Sequence, residues 1–284
     1  MVPLKKFSLS LCEGGMKMPD NVLEIKGITK RFGGLTALSK LDLEVEHGSI
    51  HAIIGPNGSG KTTFFNVITG LYVPDEGSVI FCGKDVTGTV PYKMARLGMG
   101  RTFQTIFLFK QMTVLENVLI GLQSESEYKL INNMIVTPKR KLYEKELHDK
   151  AYELLTFVGL YDQRNDIACN LPYGKQRLLE VARAMGINPK IILLDEPAAG
   201  MNPQETSELI ERVKNIRDKY NMTVLIIEHD MKLVMQLADI ITCLDHGSVI
   251  ACGNPKIVTK DSKVVEAYLG IVGERDTIEY KKAD

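Results

Sequence analysis

The 284-residue sequence has no charge excess, no long apolar run and no paired cysteines. Lys plus Arg number 35 and Asp plus Glu number 35, a formal net charge of +0. That balance argues against a protein whose binding of nucleic acid rests on bulk basicity. The most apolar stretches, Ile191 to Leu194 and Val224 to Ile227, are strand-sized. They fall far short of the ~18 residues that a bilayer span needs. The chain is expected not to cross a membrane by itself, which leaves attachment through a partner open. Cys12, Cys82, Cys169, Cys243 and Cys252 are odd in number, widely spaced and lack a Cys-x-x-Cys pair. A zinc framework or a disulfide scaffold does not fit them. They are expected as small buried hydrophobes in a reducing cytosol. No internal repeat and no low-complexity tract occurs.

What is present is ordinary in bulk. The hydrophobic fraction of 44% and charged fraction of 25% are those of a folded globular chain. Length allows one large domain or two smaller ones. Residues 1–19 carry Lys5 and Lys6 before a short apolar stretch, too short for a signal segment. They are expected as an extension, either disordered or a misassigned start. The polar residues 271–284 are expected as a C-terminal tail.

Between these ends, short β-rich runs alternate with helical patterns, which predicts an α/β architecture. Strands are expected at Val22 to Ile28, Leu41 to Glu46, Ser49 to Ile54 and Gly77 to Cys82. Ile191 to Leu194 and Val224 to Ile227 read as strands covered on both faces. Ile240 to Asp245 and Val249 to Cys252 flank His246 and Gly247, a hairpin-like turn. The middle is rich in helix formers. Leu142, Leu147, Ala151, Leu154, Leu155 and Val158 recur near three- and four-residue spacing. A helical subdomain at about 105–188, inserted between core strands, is the expectation.

The chemistry begins at Gly55, Pro56, Asn57, Gly58, Ser59, Gly60, Lys61 and Thr62, which match G-x-x-x-x-G-K-[ST] in full. A chance match in a chain of this composition is on the order of one in a hundred. A strand precedes the motif and a helical pattern, Thr62 to Thr69, follows it. Glycines let the backbone wrap a phosphate with inward N–H groups. The helix start adds partial positive charge. Lys61 reaches the β and γ phosphates, and the Thr62 hydroxyl can bind Mg²⁺. Further on, Ile191 to Leu194 end in Asp195 and Glu196, at the sheet edge where α/β folds bind ligands. Asp195 is expected to hold Mg²⁺ and Glu196 to polarise an attacking water. Gln104, in Arg101-Thr-Phe-Gln, is a candidate for contact with Mg²⁺ or the water. His229, after another apolar strand, is a candidate for reaching the γ-phosphate.

Leu171-Pro-Tyr-Gly-Lys-Gln-Arg177 lies between these pieces. With the phosphate loop, Gln104, Asp195, Glu196 and His229 in this order, the chain resembles an ABC-type ATP-binding cassette over about residues 22–270. The resemblance implies a P-loop NTPase fold with an inserted helical subdomain and an antiparallel β portion, occupying residues 20–270. It implies two cassettes facing head to tail, each ATP held by one phosphate loop, Thr63 included, and the other chain's signature loop. Here the signature segment is Leu171 to Gln176, so Pro172, Tyr173, Gly174, Lys175 and Gln176 are implied as nucleotide contacts. Phe32 sits where the family stacks an aromatic on adenine. The helical insertion sits where cassettes engage a membrane partner. Two residues depart from the family pattern: Pro172 replaces the usual signature serine, and Asn202 stands where aspartate is common.

Arg31-Phe-Gly-Gly-Leu-Thr-Ala37, Arg101-Thr-Phe-Gln-Thr-Ile-Phe-Leu-Phe109, Met112-Thr-Val-Leu-Glu-Asn-Val118, Ala199-Gly-Met-Asn-Pro203 and Tyr268-Leu-Gly270 are similar to the branched-chain amino acid importer cassettes. The resemblance implies an ATPase on the cytoplasmic face of the cell membrane, with ATP and Mg²⁺. Its implied partners are a second ABC ATPase subunit (heterodimer, with homodimer as the alternative), two membrane permeases and, indirectly, a secreted binding protein. Urea and lipopolysaccharide-transport cassettes are related alternatives. A soluble cassette acting on DNA or ribosomes fits less well, because there is one phosphate loop and neutral charge. An Asn-Lys-x-Asp guanine motif is absent, which sets aside a GTPase.

Overall fold

The computed structural model describes residues 20–123 and 138–268. The expected extension at 1–19, Cys12 and the expected tail lie outside the described residues. Two sheets organise the chain. The first is antiparallel, in the order β2-β1-β4-β5, from β1 (Asn21–Phe32), β2 (Leu35–Glu46), β4 (Glu76–Phe81) and β5 (Lys84–Asp85). The second contains β3 (Ile50–Ile54), β6 (Met99–Arg101), β7 (Ile191–Asp195), β8 (Thr223–Ile227), β9 (Ile240–Asp245) and β10 (Ser248–Gly253). Its order is β10-β9-β3-β8-β7-β6, parallel except for the β10 edge.

Every residue of β3, β7 and β8 is buried, as their unbroken apolar runs predict. Alternate residues feed two different cores, because strand side chains point to opposite faces. Ile50, Ala52, Ile54, Ile192, Leu194, Val224 and Ile226 face a helical layer. Ile53, Ile191, Leu193, Leu225 and Ile227 face α1 (Lys61–Ile68) and the antiparallel sheet. The helical layer is built from α3 (Val114–Gln123), α4 (Pro138–Val158), α5 (Tyr173–Met185), α6 (Pro203–Tyr220) and α7 (Met231–Leu237). Short helices α2 (Pro91–Leu97) and α8 (Pro255–Val258), a 3₁₀ turn at Ala168–Asn170 and a helix at 262–268 complete the described chain.

The structure differs from the sequence reading in three places. First, β1 runs on to Phe32 and β2 begins at Leu35. Register shifts after Ile25 and Ile28 let the polar run Thr29 to Arg31 stay in the ladder, and such bulges leave no clear local signature. Second, on α4 the residues Leu147, Ala151, Leu154, Leu155 and Val158 are buried, but Leu142 is exposed. Third, the cysteines are not all buried: Cys243 is, whereas Cys169 and Cys252 are exposed. Among the described residues no helix is long and apolar enough to cross a membrane.

Candidate functional site

Because β3, β6, β7 and β8 run parallel, the segments that follow them emerge along one sheet edge. These segments carry the phosphate loop, Gln104, Glu196 and His229. The loop itself is held by close backbone packing. Gly60 caps α1 in the left-handed region at φ 101°, and a Cβ there would stand 2.6 Å from the Ala37 carbonyl oxygen. Glycine alone fits. The Ser59 carbonyl accepts from Gly247 N–H at 3.0 Å, which ties the loop to the β9–β10 turn. Asn57 and Gly58 are exposed while Ser59 and Lys61 are buried, so the loop opens outward around an inward lysine.

Lys61 Nζ donates to the carbonyls of Gly55 at 2.7 Å and Pro56 at 2.8 Å. Burial lowers its pKa, opposed by the nearby Glu196, Cys243 and Asp195. A buried ammonium lacking a full anionic partner attracts phosphate strongly. Thr62 is exposed at the start of α1. Thr63 is half-buried behind it.

Glu196 follows β7 in the left-handed region at φ 45°. A non-glycine residue held there costs of order 1 kcal/mol or more, and such strain gathers at functional sites. Its N–H donates to the Ile227 carbonyl at 3.0 Å, which locks the turn against β8. Gln104 Nε2 donates to Glu196 Oε2 at 3.0 Å, and His229 Nδ1 lies 3.9 Å from the same oxygen. Three residues distant in sequence thus meet on one carboxylate. His229 is exposed.

Asp195 is buried, and its carboxylate lies 3.2 Å from the Arg101 guanidinium. Burial raises its pKa, and Arg101 opposes the rise. Arg101 also donates to Thr69 Oγ1 at 2.8 Å and lies over the Phe65 and Phe103 rings. Thr62, Gln104 and Asp195 present only oxygen donors, the set that a hard cation such as Mg²⁺ takes. Among the described residues no cluster of three or more His, Cys, Asp or Glu forms a metal cage.

The signature segment joins this group through a buried arginine. Pro172 sits at the N-cap of α5, where it offers no side-chain hydroxyl to the helix start. Gln176 Nε2 donates to the Leu171 carbonyl at 2.8 Å. Gly174 is packed against Glu205, whose Oε1 would lie 2.7 Å from a Cβ there. Lys175 is half-buried and Tyr173 is exposed beside Gly200. Arg177 donates to the carbonyls of Phe103 and Gln104 and to Glu180 Oε2 at 3.1 Å. Glu180 in turn accepts from the N–H groups of Phe103 and Phe107. The Gln104 loop is therefore pinned to the signature helix from both sides. Phe32 is exposed, edge-on to Tyr72 at 5.2 Å with Lys30 Nζ 5.5 Å from its ring centre.

Asn202 has a structural task. Its side chain caps α6, accepting from Gln204 and Glu205 N–H at 3.0 Å each, and Glu205 closes the capping box. Asparagine and aspartate cap about equally well, so this departure leaves the helix start intact. Sequence reasoning missed Arg101, Arg177, Glu180 and Glu228. Glu228 is buried, and it accepts from Ala198 and His229 N–H, which braces both loops. Its place directly before His229 at a strand end was the available signal; Arg177 and Glu180 had an i, i+3 spacing of opposite charges.

Comparison with known proteins places the chain in a family. The family model described as ABC transporter matches residues 38–199. The high-affinity branched-chain amino acid transport ATP-binding protein LivG of Escherichia coli (strain K12) is 42% identical over 253 residues, covering 89% of this chain and 99% of that protein. The crystal structure of the ADP conformation of MJ1267, an ATP-binding cassette of an ABC transporter, superposes with a TM-score of 0.76 at 38% identity, covering 88% of this chain and 99% of that one. The dimeric structure of MJ0796, a bacterial ABC transporter cassette, matches at a TM-score of 0.70 and 25% identity, covering 82% and 98%. With its phosphate loop, its parallel sheet edge and relatives spanning nearly its whole length, the chain belongs to the ABC transporter family of ATP-binding cassettes, which hydrolyse ATP.

Proposed function

We propose that this chain is the ATPase subunit of an importer of branched-chain amino acids, peripheral on the cytoplasmic face of the membrane. The likeness to LivG over nearly the whole chain supports the substrate class. The observation that carries the catalytic reading is the meeting of Gln104 and His229 on Glu196 at the edge that bears Lys61.

ATP enters with its phosphates on the N–H groups of Gly58 to Thr63 and on the Lys61 ammonium. Thr62, Gln104 and Asp195 would hold Mg²⁺, which when bound neutralises charge on the phosphates. Glu196 takes a proton from water and His229 orients the γ-phosphate. Phe32 stacks on the adenine. A second cassette contributes its signature loop, and Leu171 to Gln176 serve the partner's nucleotide in return. The known dimeric cassette supports this pairing. We read the second cassette as a different chain, giving a heterodimer.

Residues 20–270 act as the cassette, with 105–188 as the part that moves two permease subunits. An apolar groove of about 340 Å³ supports that division. Leu71, Met94, Phe103, Phe109 and Ile120 line it where the helical layer meets the core. A secreted binding protein delivers the amino acid to the permeases.

The test is reconstitution in vesicles with both permeases, the second ATPase and the binding protein. ATP-dependent uptake of labelled leucine, isoleucine or valine is expected. Uptake of urea alone, or ATP hydrolysis that no amino acid stimulates, overturns the substrate assignment.

A further inference from the structure

The helix at 262–268 lies beside the phosphate loop and α7. Lys263, Glu266 and Ala267 line a cleft of about 530 Å³ together with Pro56, Asn57, Gly58 and Ser59. Val264, Val265 and Tyr268 face Met231 and Met235 of α7, the helix that follows His229. Val264 is buried in the main core and Tyr268 packs against it, so this helix is anchored.

Gly55 is where β3 leaves its ladder. Pairing with β9 ends at Ile54 and Cys243, and pairing with β8 ends at Ile53 and Ile227. The Gly55 N–H is thus a buried donor beyond the sheet, and such a donor needs a partner. It donates to the Tyr268 hydroxyl oxygen at 2.9 Å. The loop backbone passes close to β9 here, since a Cβ on Gly55 would stand 2.1 Å from the Leu244 carbonyl oxygen. The Gly55 carbonyl, at the other end of the same residue, accepts from Lys61 Nζ at 2.7 Å.

We infer that Tyr268 is a positioning residue for ATP binding: its hydroxyl fixes Gly55, and through the Gly55 carbonyl it fixes the Lys61 ammonium. The chain of contacts runs Tyr268 to Gly55 to Lys61, across 213 residues of sequence in its first step. Burial pushes the phenol pKa up to about 12, so the group stays a neutral hydroxyl through the working pH range. The inference rests on the phosphate loop being the ATP site.

The experiment is Tyr268→Phe in the full chain, assembled with its membrane subunits and titrated with ATP. Phenylalanine keeps the ring and removes the acceptor. The expected result is a KM for ATP raised at least about fivefold with kcat within about twofold. Ile216→Val, a core change on α6 remote from the loop, serves as a control for general loss of stability and should leave KM unchanged. Tyr268→Ala separates ring from hydroxyl. An unchanged KM in Tyr268→Phe overturns the inference, as does a rise seen in Tyr268→Ala but not in Tyr268→Phe. An equal rise in Ile216→Val also overturns it. A wild-type assembly that neither binds nor hydrolyses ATP overturns instead the reading of the loop.

Discussion

Gln104 donates its amide Nε2 to Glu196 Oε2 at 3.0 Å, so the candidate metal ligand and the candidate base hold each other. The contact joins the segment after β6 to the segment after β7, and the first of these is pinned by Arg177 to the signature helix. A displacement of that helix would therefore be felt at the base.

Glu196→Gln keeps the shape and an oxygen acceptor for Gln104 but loses the basic carboxylate. ATP binding should persist while turnover falls at least about tenfold, a threshold set below the ~10²–10⁴-fold that a general base supplies. Hydrolysis by the assembled transporter checks this. Near-normal turnover rejects Glu196 as the base.

Gly58 and Gly60 both have positive φ, but their surroundings differ. A Cβ at Gly58 meets nothing within 4 Å, whereas one at Gly60 would lie 2.6 Å from the Ala37 carbonyl oxygen and 3.0 Å from Leu38. Gly58→Ala should cost roughly 1–2 kcal/mol of backbone strain. That is about 2–8 °C in Tm for a domain of this size. Gly60→Ala should fall at least about twice as far, because the opposing atom is backbone and cannot turn aside. Thermal melts of the two variants decide it; equal losses would show that the Ala37 approach is not tight.

Arg177 and Glu180 are both buried, and each has further partners on the Gln104 loop. Arg177→Met should destabilise by about 3–5 kcal/mol, since it strands a buried carboxylate. Burial already raises the Glu180 pKa against the pull of Arg177. The double change Arg177→Met with Glu180→Leu should lose less than the two single changes summed, because the stranded charge is gone. Urea unfolding of the four proteins measures the difference. Strict additivity would mean that the pair is not coupled.

His51 is buried with Nε2 2.8 Å from Thr242 Oγ1 and Nδ1 unpartnered, and burial pushes its pKa down to about 4. Above about pH 6.5 the ring is neutral in both folded and unfolded states, and its contribution is intact. As pH falls toward about 4, the unfolded chain takes a proton that the folded chain refuses, so stability drops. The loss amounts to about 3 kcal/mol and levels off below the folded pKa. His51→Gln lacks this proton. Denaturant unfolding of both proteins at pH 7 and pH 4.5 should show wild type losing more; parallel losses would remove His51 as the cause.

Pro172 leaves the start of α5 without a hydroxyl. With a partner whose signature keeps its serine, the two ATP sites should be unequal. The site that uses this chain's signature loop should be the weaker one. Disabling this chain's phosphate loop by Lys61→Ala should then cost more hydrolysis than disabling the partner's. Equal residual rates count against the asymmetry.

The phosphate-loop motif, the buried parallel strands and the two acids at the end of β7 were legible in the sequence because each is a local pattern. The loop is a run of adjacent residues, and the strands are unbroken apolar runs whose burial on both faces follows from composition. The course of β1 and β2 was only half legible. Their polar ends are held by cross-strand register and bulges, which depend on a partner strand rather than on local residues. The exposure of Cys169, Cys252 and Leu142 was misread, since an apolar side chain does not state which neighbours will cover it.

By itself, then, the sequence determined which strands form the core, which family the chain resembles and which groups are candidates for binding phosphate. Only the tertiary structure decided that Gln104 and His229 share one carboxylate of Glu196, that Arg177 ties the signature helix to Gln104, and that Tyr268 stands behind Gly55. These pairs are tens to hundreds of residues apart. A hydrogen bond needs two groups within about 3 Å, which only the closed chain can supply.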